Sequence, residues 1–287
     1  MSEELTVRLM KREEVTLLVD WAAEEGWNPG LNDAEIFWNT DPEAFIAADV
    51  GTELIGGGAI TSYGGEYGFM GFFIIRPEFR KRGYGNSLWQ MRRDKMIARL
   101  SPGTVVGLDG VFEMRDFYAR GGFVFSHRNL RFVYSSSSRK VSFHKNIIPA
   151  DQISFDQLAQ YDRTCFPASR DNFLQEWMSQ HYSRAVGYVD DGHLEGYGVM
   201  RQCRKGFKIG PLFANNQQTA EVIYSYLVNS VAGTEVFLDV PENNPAAMSL
   251  VRQFGMKEIF GCARMYLGST PKIMHDRVYG VTTFELG

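Results

Sequence analysis

The sequence predicts an α/β (α+β) fold: two tandem domains, residues 1–136 and 137–287, each a mixed, mostly antiparallel twisted sheet flanked by helices. Three observations lead there. Apolar residues alternate between period two and helical spacing so that the first half reads βααβββαβαβ. Within that order an apolar strand runs into a basic, glycine-punctuated turn and then an amphipathic helix, over Phe69–Leu88, FMGFFIIRPEFRKRGYGNSL. A partial echo of this half returns after roughly 135 residues, the scale of a whole domain.

The elements follow from local pattern. Leu5, Val7 and Leu9 alternate as a strand, and Val15, Leu18, Val19 and Ala22 mark a helix ending near Gly26. Trp27-Asn28-Pro29-Gly30 is a turn, after which Asn32-Asp33 can cap a short helix holding Ile36 and Phe37. Residues 44–50, 54–63 and 67–75 read as antiparallel strands joined at Gly51-Thr52 and Gly64-Gly65. A helix is expected over 85–100, a strand over 104–108, a helix over 113–119 and a last strand over 123–134. The fourth and fifth strands, joined by a helical crossover, should be parallel neighbours.

The turn between the fourth strand and its helix is where chemistry is expected. A helix N-terminus offers unpaired N–H groups and positive potential, so it suits an anion. Arg80, Lys81 and Arg82 reinforce that site, and Gly83 and Gly85 let the backbone take positive φ and come close to a ligand. No Gly-Lys-Ser/Thr follows, which argues against kinase or ATPase chemistry. The expected ligand is a nucleotide-like, phosphate-bearing cofactor.

Arg80 to Gly85 fits R-x-x-G-x-G, and with Ile75-Arg76-Pro77-Glu78-Phe79 before it and the element order around it this half resembles the GNAT superfamily of N-acetyltransferases. The resemblance implies two tandem GNAT-like domains with a splayed parallel strand pair. It implies acetyl-CoA as co-substrate, with no metal, its pyrophosphate on Arg80, Lys81, Arg82, Gly83, Tyr84, Gly85 and Asn86. The pantetheine arm would lie between the splayed strands against the backbone of Phe73, Ile74 and Ile75.

Phe117-Tyr118-Ala119-Arg120-Gly121-Gly122-Phe123 is similar to the family's L-Y-x-x-x-G-F, which implies Tyr118 as the acid for the leaving thiolate, although Val111 stands where the family usually has asparagine. For the base, the resemblance points to Glu66 at the start of the fourth strand, with Asp109 as a competitor. Trp27, Asn28 and Phe37 lie in the segment that often lines the acceptor pocket. Arg170 could hold an acceptor carboxylate as a bidentate pair, or sit exposed in a surface pair. No His/Cys or Ser/His/Asp arrangement assembles, which disfavours a covalent acyl-enzyme.

In the second half, Gly206-Phe207-Lys208-Ile209-Gly210 echoes Gly68-Phe69-Met70-Gly71, and Gln253-Phe254-Gly255-Met256 echoes Arg120-Gly121-Gly122-Phe123. Where the basic loop should be, the chain reads Ala214-Asn215-Asn216-Gln217-Gln218-Thr219-Ala220, and Val251 replaces the tyrosine. Asn215 and Asn216 could cap a helix over 219–231. This half resembles a degenerate GNAT-like domain, expected to wall the acceptor pocket or mediate a homodimer contact.

Composition narrows the class. A net charge of -4 argues against a general nucleic-acid binder using Arg76, Arg80, Lys81, Arg82, Arg92 and Arg93, the last two on a charged helix face. Cys165, Cys203 and Cys262 are scattered, as expected of buried, reduced thiols in a cytoplasmic protein. No run of ~18 apolar residues predicts a membrane span. The expected activity is transfer of acetyl from acetyl-CoA to a primary amine of a small or amino-acid-like acceptor, in a ternary complex; the alternative is a non-catalytic acyl-CoA-binding or sensing protein.

Overall fold

The computed structural model describes residues 4–135, 144–231 and 233–287. The boundary expected between residues 136 and 137, and the polar run from Ser136 to Lys140, lie outside the described residues. The first half forms β1 (Leu5–Leu9), α1 (Arg12–Glu24), α2 (Asp33–Thr40), β2 (Phe45–Val50), β3 (Glu53–Tyr63), β4 (Tyr67–Ile75), α3 (Tyr84–Ala98), β5 (Val106–Val111), α4 (Arg115–Arg120) and β6 (Val124–Ser135). This is the order read from the sequence. A short 3-10 turn over Phe112–Met114 delays the last helix.

The second half adds β7 (Ile147–Pro149), α5 (Phe155–Cys165), α6 (Asp171–Ser179), β8 (Ser183–Asp190), β9 (His193–Gln202), β10 (Phe207–Ala214), α7 (Gln217–Asn229), β11 (Glu235–Pro241), α8 (Pro245–Gln253), β12 (Lys257–Leu267) and β13 (Val278–Gly280). Side-chain caps start three of its helices. Ser154 accepts from the Gln157 amide before α5, Asn216 from the Thr219 amide before α7, and Asn244 from Ala246 and Ala247 before α8, where Pro245 takes the first helical position.

All thirteen described strands join one sheet, in the order β1-β2-β3-β4-β5-β12-β6-β11-β10-β9-β8-β7, with β13 attached to β10. The two halves exchange their last long strands. β12 pairs antiparallel with β5 from Cys262 opposite Val111 to Leu267 opposite Val106, completing the first half. β6 pairs antiparallel with β11, completing the second. β12 and β6 also pair with each other, so the sheet runs unbroken through both halves.

The core follows the same continuity. One apolar cluster gathers Leu18 and Ala22 of α1, Phe37 of α2, Phe72 of β4, Trp177 of α6, Phe213 of β10 and Leu286. Charges are buried in it as bidentate pairs: Asp33 with Arg201, Asp239 with Arg131, and Asp162 with Arg170. Burying a lone charge costs several kcal/mol, on the order of a whole domain's net stability, so such groups occur as hydrogen-bonded pairs. Asp33 is thereby taken from the capping role expected near it: its side chain holds Arg201 and the Gly30 amide, and Asn32 makes no side-chain cap.

Candidate functional site

β4 and β5 run parallel for three residue pairs only, Gly68 with Val106, Phe69 with Gly107 and Met70 with Leu108. Beyond Met70 they diverge. On the other side of β4 the register with β3 slips between Ala59 opposite Gly71 and Gly57 opposite Ile74, and Phe72 sits in the left-handed region at φ 50°. A bulge of this kind bends a strand, and for a non-glycine residue it stores about 1–3 kcal/mol of backbone strain that the surrounding core must hold. The bend opens a cavity of 460 Å³ between the strands.

At its outer end the cavity meets the turn before α3. Gly83, the N-cap of α3, has φ 89°, and neither a side-chain cap nor an acidic residue occupies the first turn. The helix N-terminus thus keeps its N–H groups free of side-chain acceptors, whereas Asn216 closes the corresponding end of α7. Lys81 and Arg82 are exposed, and Lys81 takes φ 63°. Arg80 donates from Nε to the Ile75 carbonyl at 2.7 Å and pairs with Glu25 of the α1–α2 connection.

Of the residues expected here, Phe73, Ile74, Ile75, Arg80, Lys81, Gly85 and Asn86 line the cavity, while Arg82, Gly83 and Tyr84 flank it. Gly85 differs from its expected role. It does not have positive φ, and an added Cβ would meet only ordinary contacts at 3.8 Å, so Gly83 alone uses glycine's freedom in this loop.

Deeper in, Tyr118 is buried against Trp89, ring centroids 4.9 Å apart, and lies over Gly110 of β5. A Cβ at Gly110 would come within 2.2 Å of the Tyr118 ring, so that glycine makes room for the tyrosine. Burial pushes the Tyr118 hydroxyl up to about 12, with Arg92 pulling the other way. Arg92 corrects the reading of a charged, exposed helix face. It is fully buried on the stripe of α3 shared with Leu88, Trp89 and Met96, and donates through Nη2 to the carbonyls of Ala59 and Gly71, both at 2.6 Å. Its Nε and Nη1 have no partner, and burial draws its pKa down to about 10.

The other expected residues disperse. Glu66 is exposed, pairs with Arg163 at 3.1 Å and does not line the cavity. Asp109 does line it, but its carboxylate is committed to Arg264 at 2.8 and 2.6 Å and to Asn129 at 2.8 Å. Trp27 reaches the wall; Asn28 instead bonds the backbone of Lys205, and Phe37 is core, stacked on Trp177. Arg170 corrects the expectation of an exposed surface pair: it is buried, with both Asp162 oxygens and Thr282 as acceptors.

The second half supplies the inner wall: Phe260 and Cys262 from β12, then Phe284 and Glu285 from the segment after β13. Burial pushes the Cys262 thiol far up, which keeps it protonated. Glu285 is 2% exposed and its Oε2 has no hydrogen-bond partner. Burial raises its pKa, against the pull of Lys208, with Asp33 also raising it and Arg131 and Arg201 lowering it. Sequence reasoning missed Arg92 and Glu285. Each left a trace: Arg92 falls on the helical spacing of an apolar stripe, and Glu285 is the lone charge in Val278–Gly287, VYGVTTFELG.

β10 and β11 repeat the splay, parallel from Phe207 opposite Val236 to Ile209 opposite Leu238 and then parting. Here the gap is filled. β13 pairs with β10 there, and the Val281 amide donates to the Asp239 carbonyl of β11 at 2.8 Å. Among the described residues no group of three or more His, Cys, Asp or Glu side chains could hold a metal, and no helix is long and apolar enough to cross a membrane.

Comparison with known proteins agrees with this architecture. Residues 12–123 match the acetyltransferase (GNAT) family and residues 158–280 an acetyltransferase (GNAT) domain. A holothin acyltransferase of Pseudoalteromonas sp. (strain SANK 73390) is 30% identical over 281 residues, 96% of this chain and 92% of the relative. A crystal structure from Pyrococcus horikoshii superposes with a TM-score of 0.83 at 21% identity, over 99% of this chain and 96% of that one. A tandem GNAT protein of the clavulanic acid biosynthesis pathway does so with a TM-score of 0.63 at 14% identity, over 93% of this chain and 100% of that one.

Proposed function

Because the chain belongs to the GNAT acetyltransferase family, we propose that it transfers the acetyl group of acetyl-CoA directly to the primary amine of a small-molecule acceptor, both bound at once. One observation carries this reading: the uncapped, basic start of α3 is continuous with a cavity that opens where β4 leaves β5. The first suits a pyrophosphate, and the second leaves strand-edge groups of Phe73, Ile74 and Ile75 for an extended amide-bearing arm. Arg80 would exchange Glu25 for phosphate, with Lys81, Arg82 and the amides around Gly83, Tyr84, Gly85 and Asn86 completing the site.

An alkylamine of pKa about 10.4 is mostly ammonium at neutral pH, so the attacking nitrogen must lose a proton before or as it bonds. Holding both substrates in one cavity removes much of the entropic barrier. Tyr118, kept protonated by burial, is the acid for the departing thiolate, and Arg92 adds a buried cation beside it. Cys262 is a poor nucleophile in its protonated form, which favours direct transfer over an acyl-enzyme.

Phe260, Phe284, Trp27 and Phe72 make the walls largely apolar, which favours an acceptor with a compact apolar body. An amino-acid-like acceptor loses its anchor, because Arg170 is committed to Asp162. The test is acceptor-dependent release of free thiol from acetyl-CoA across a panel of polyamines, amino acids, aminosugars, aromatic amines and holothin. Turnover with one of these amines is expected. Thermal stabilisation by acetyl-CoA without release for any of them would identify a non-catalytic acyl-CoA-binding protein instead.

A further inference from the structure

We propose that Glu285, brought from the second half of the chain, is the base that takes the proton from the acceptor amine; this rests on the acetyl transfer proposed above. The segment that carries it is fixed at both ends. Its first part, β13, fills the gap between β10 and β11. Farther on, Thr283 Oγ1 accepts from the amides of Glu285 at 3.2 Å and Leu286 at 2.9 Å, and the Tyr63 hydroxyl donates to the Leu286 carbonyl at 2.8 Å. Between those anchors the Glu285 backbone lies directly against Gly71, at the point where β4 turns away from β5. There Glu285 lines the cavity, beside Gly71 and the bulged Phe72.

The chemistry around Glu285 sets it apart from a structural carboxylate. Asp33, Asp109 and Asp239 are each held by a bidentate arginine. Of these four carboxylates only Asp109 and Glu285 line the cavity, and Glu285 alone keeps an oxygen without a partner while buried. An unsatisfied buried acceptor is destabilising, and a purely structural role gives no reason to retain one. The cations that face it are Lys208 of β10, Arg131 of β6 and Arg201 of β9, with Asp33 of α2 opposing them. None is within ion-pair distance of it among the described residues, and Lys208 donates only to the Trp27 carbonyl, at 3.4 Å. They stabilise the charged form without occupying the oxygen. Burial still wins and raises the carboxyl, which makes it a stronger base than a solvated glutamate.

The acceptor reacts as the free amine, its first ammonium proton having gone to solvent; its lone pair bonds the thioester carbonyl carbon, the carbonyl π pair moves to oxygen, and the proton then carried by the bonded nitrogen passes to the Glu285 carboxylate. Collapse of that intermediate restores the C=O bond and breaks the C–S bond, and the sulfur takes the Tyr118 phenolic proton. Solvent returns the proton from the Glu285 carboxyl to the Tyr118 phenolate.

The test compares the full-length protein with Glu285→Gln and Glu285→Asp, following thiol release against pH and acetyl-CoA affinity by calorimetry. Glu285→Gln should lower kcat by about 100-fold or more, erase the acidic limb of the rate profile and leave acetyl-CoA affinity within about twofold. Glu285→Asp should lose less activity and keep an acidic limb. A Glu285→Gln enzyme within about threefold of the parent kcat, or with its acidic limb intact, overturns the assignment while leaving acetyl transfer standing. Should the Gln variant fail to fold, a Glu285→Asp enzyme without an acidic limb overturns it equally. A parent protein that binds acetyl-CoA and acetylates no amine overturns both readings.

Discussion

A single methyl group tests how the second half reaches the cavity. In Gly71→Ala the new Cβ would lie 1.9 Å from the carbonyl oxygen of Glu285, 2.7 Å from its carbonyl carbon and 3.1 Å from its Cα. Real Cβ atoms essentially never come within 3.0 Å of such neighbours, so about 1 Å must be found. It cannot come from a rotating side chain, because the obstacle is backbone. β4 resists too, since Gly71 pairs with Ala59 and its carbonyl accepts from Arg92. The Glu285 segment therefore has to yield against Tyr63 and Thr283. Overpacking of this kind costs about 1–3 kcal/mol, and a misplacement of about 1 Å at a reacting group costs about 100-fold in rate. Urea unfolding and thiol release read the two effects separately. Gly210→Ala is the companion variant, because its Cβ would meet the Thr282 carbonyl at 2.4 Å in the second half. It should cost similar stability and less activity. A Gly71→Ala protein as stable as the parent to within about 0.5 kcal/mol and equally active would refute the packing and the base assignment together.

Gly83→Asp places a carboxylate in a left-handed position at the start of α3, and should weaken acetyl-CoA binding by at least about 10-fold in calorimetry through strain and repulsion. Tyr118→Phe should lower kcat by about 100-fold with little change in acetyl-CoA affinity. Because an acid works below its pKa and burial holds this one up at about 12, the variant's rate profile should keep the parent's shape up to about pH 10. Calorimetry should give one acetyl-CoA per chain, since β13 fills the second gap and Asn216 caps α7; two would show that the segment leaves. Burial alone would raise the Asp239 carboxyl, but Arg131 outweighs it and leaves it lowered. Its contribution is therefore present above its unfolded pKa of about 3.9 and lost on acidification through the folded value. Asp239→Asn should cost about 3–5 kcal/mol in urea unfolding at pH 7, with less of that difference remaining at pH 3.

The local pattern carried most of the first half. Alternation in Leu5–Leu9 and helical spacing through Ala22 depend only on neighbours in the chain, and the observed order of elements follows them. The strand exchange was not legible: β6 and β12 are both long apolar strands with a glycine turn before them, and nothing local says which half each will complete. The same limit hid the charges. Arg92 reads as solvated until Gly58 and Gly71 leave space and carbonyls for it, and Arg170 reads as exposed until Asp162 arrives eight residues upstream on another helix. Glu285 is silent for the same reason, since its setting is made by β4, β6, β9 and β10.

The exchange of β6 and β12 bears on how the chain is made. As synthesis proceeds, β5 emerges with its outer edge open, and the strand that covers it ends at Leu267, 161 positions beyond its Val106 partner. β6 waits likewise for β11, whose Glu235 pairs with Ser135. Pairings so distant in sequence form slowly, and open strand edges invite association with other chains in the meantime. The nascent first half is therefore the aggregation-prone species, and its open edge is closed only once the chain through Leu267 has left the ribosome. Produced as separate pieces, 1–135 and 144–287 would each expose the edge that only the other can close.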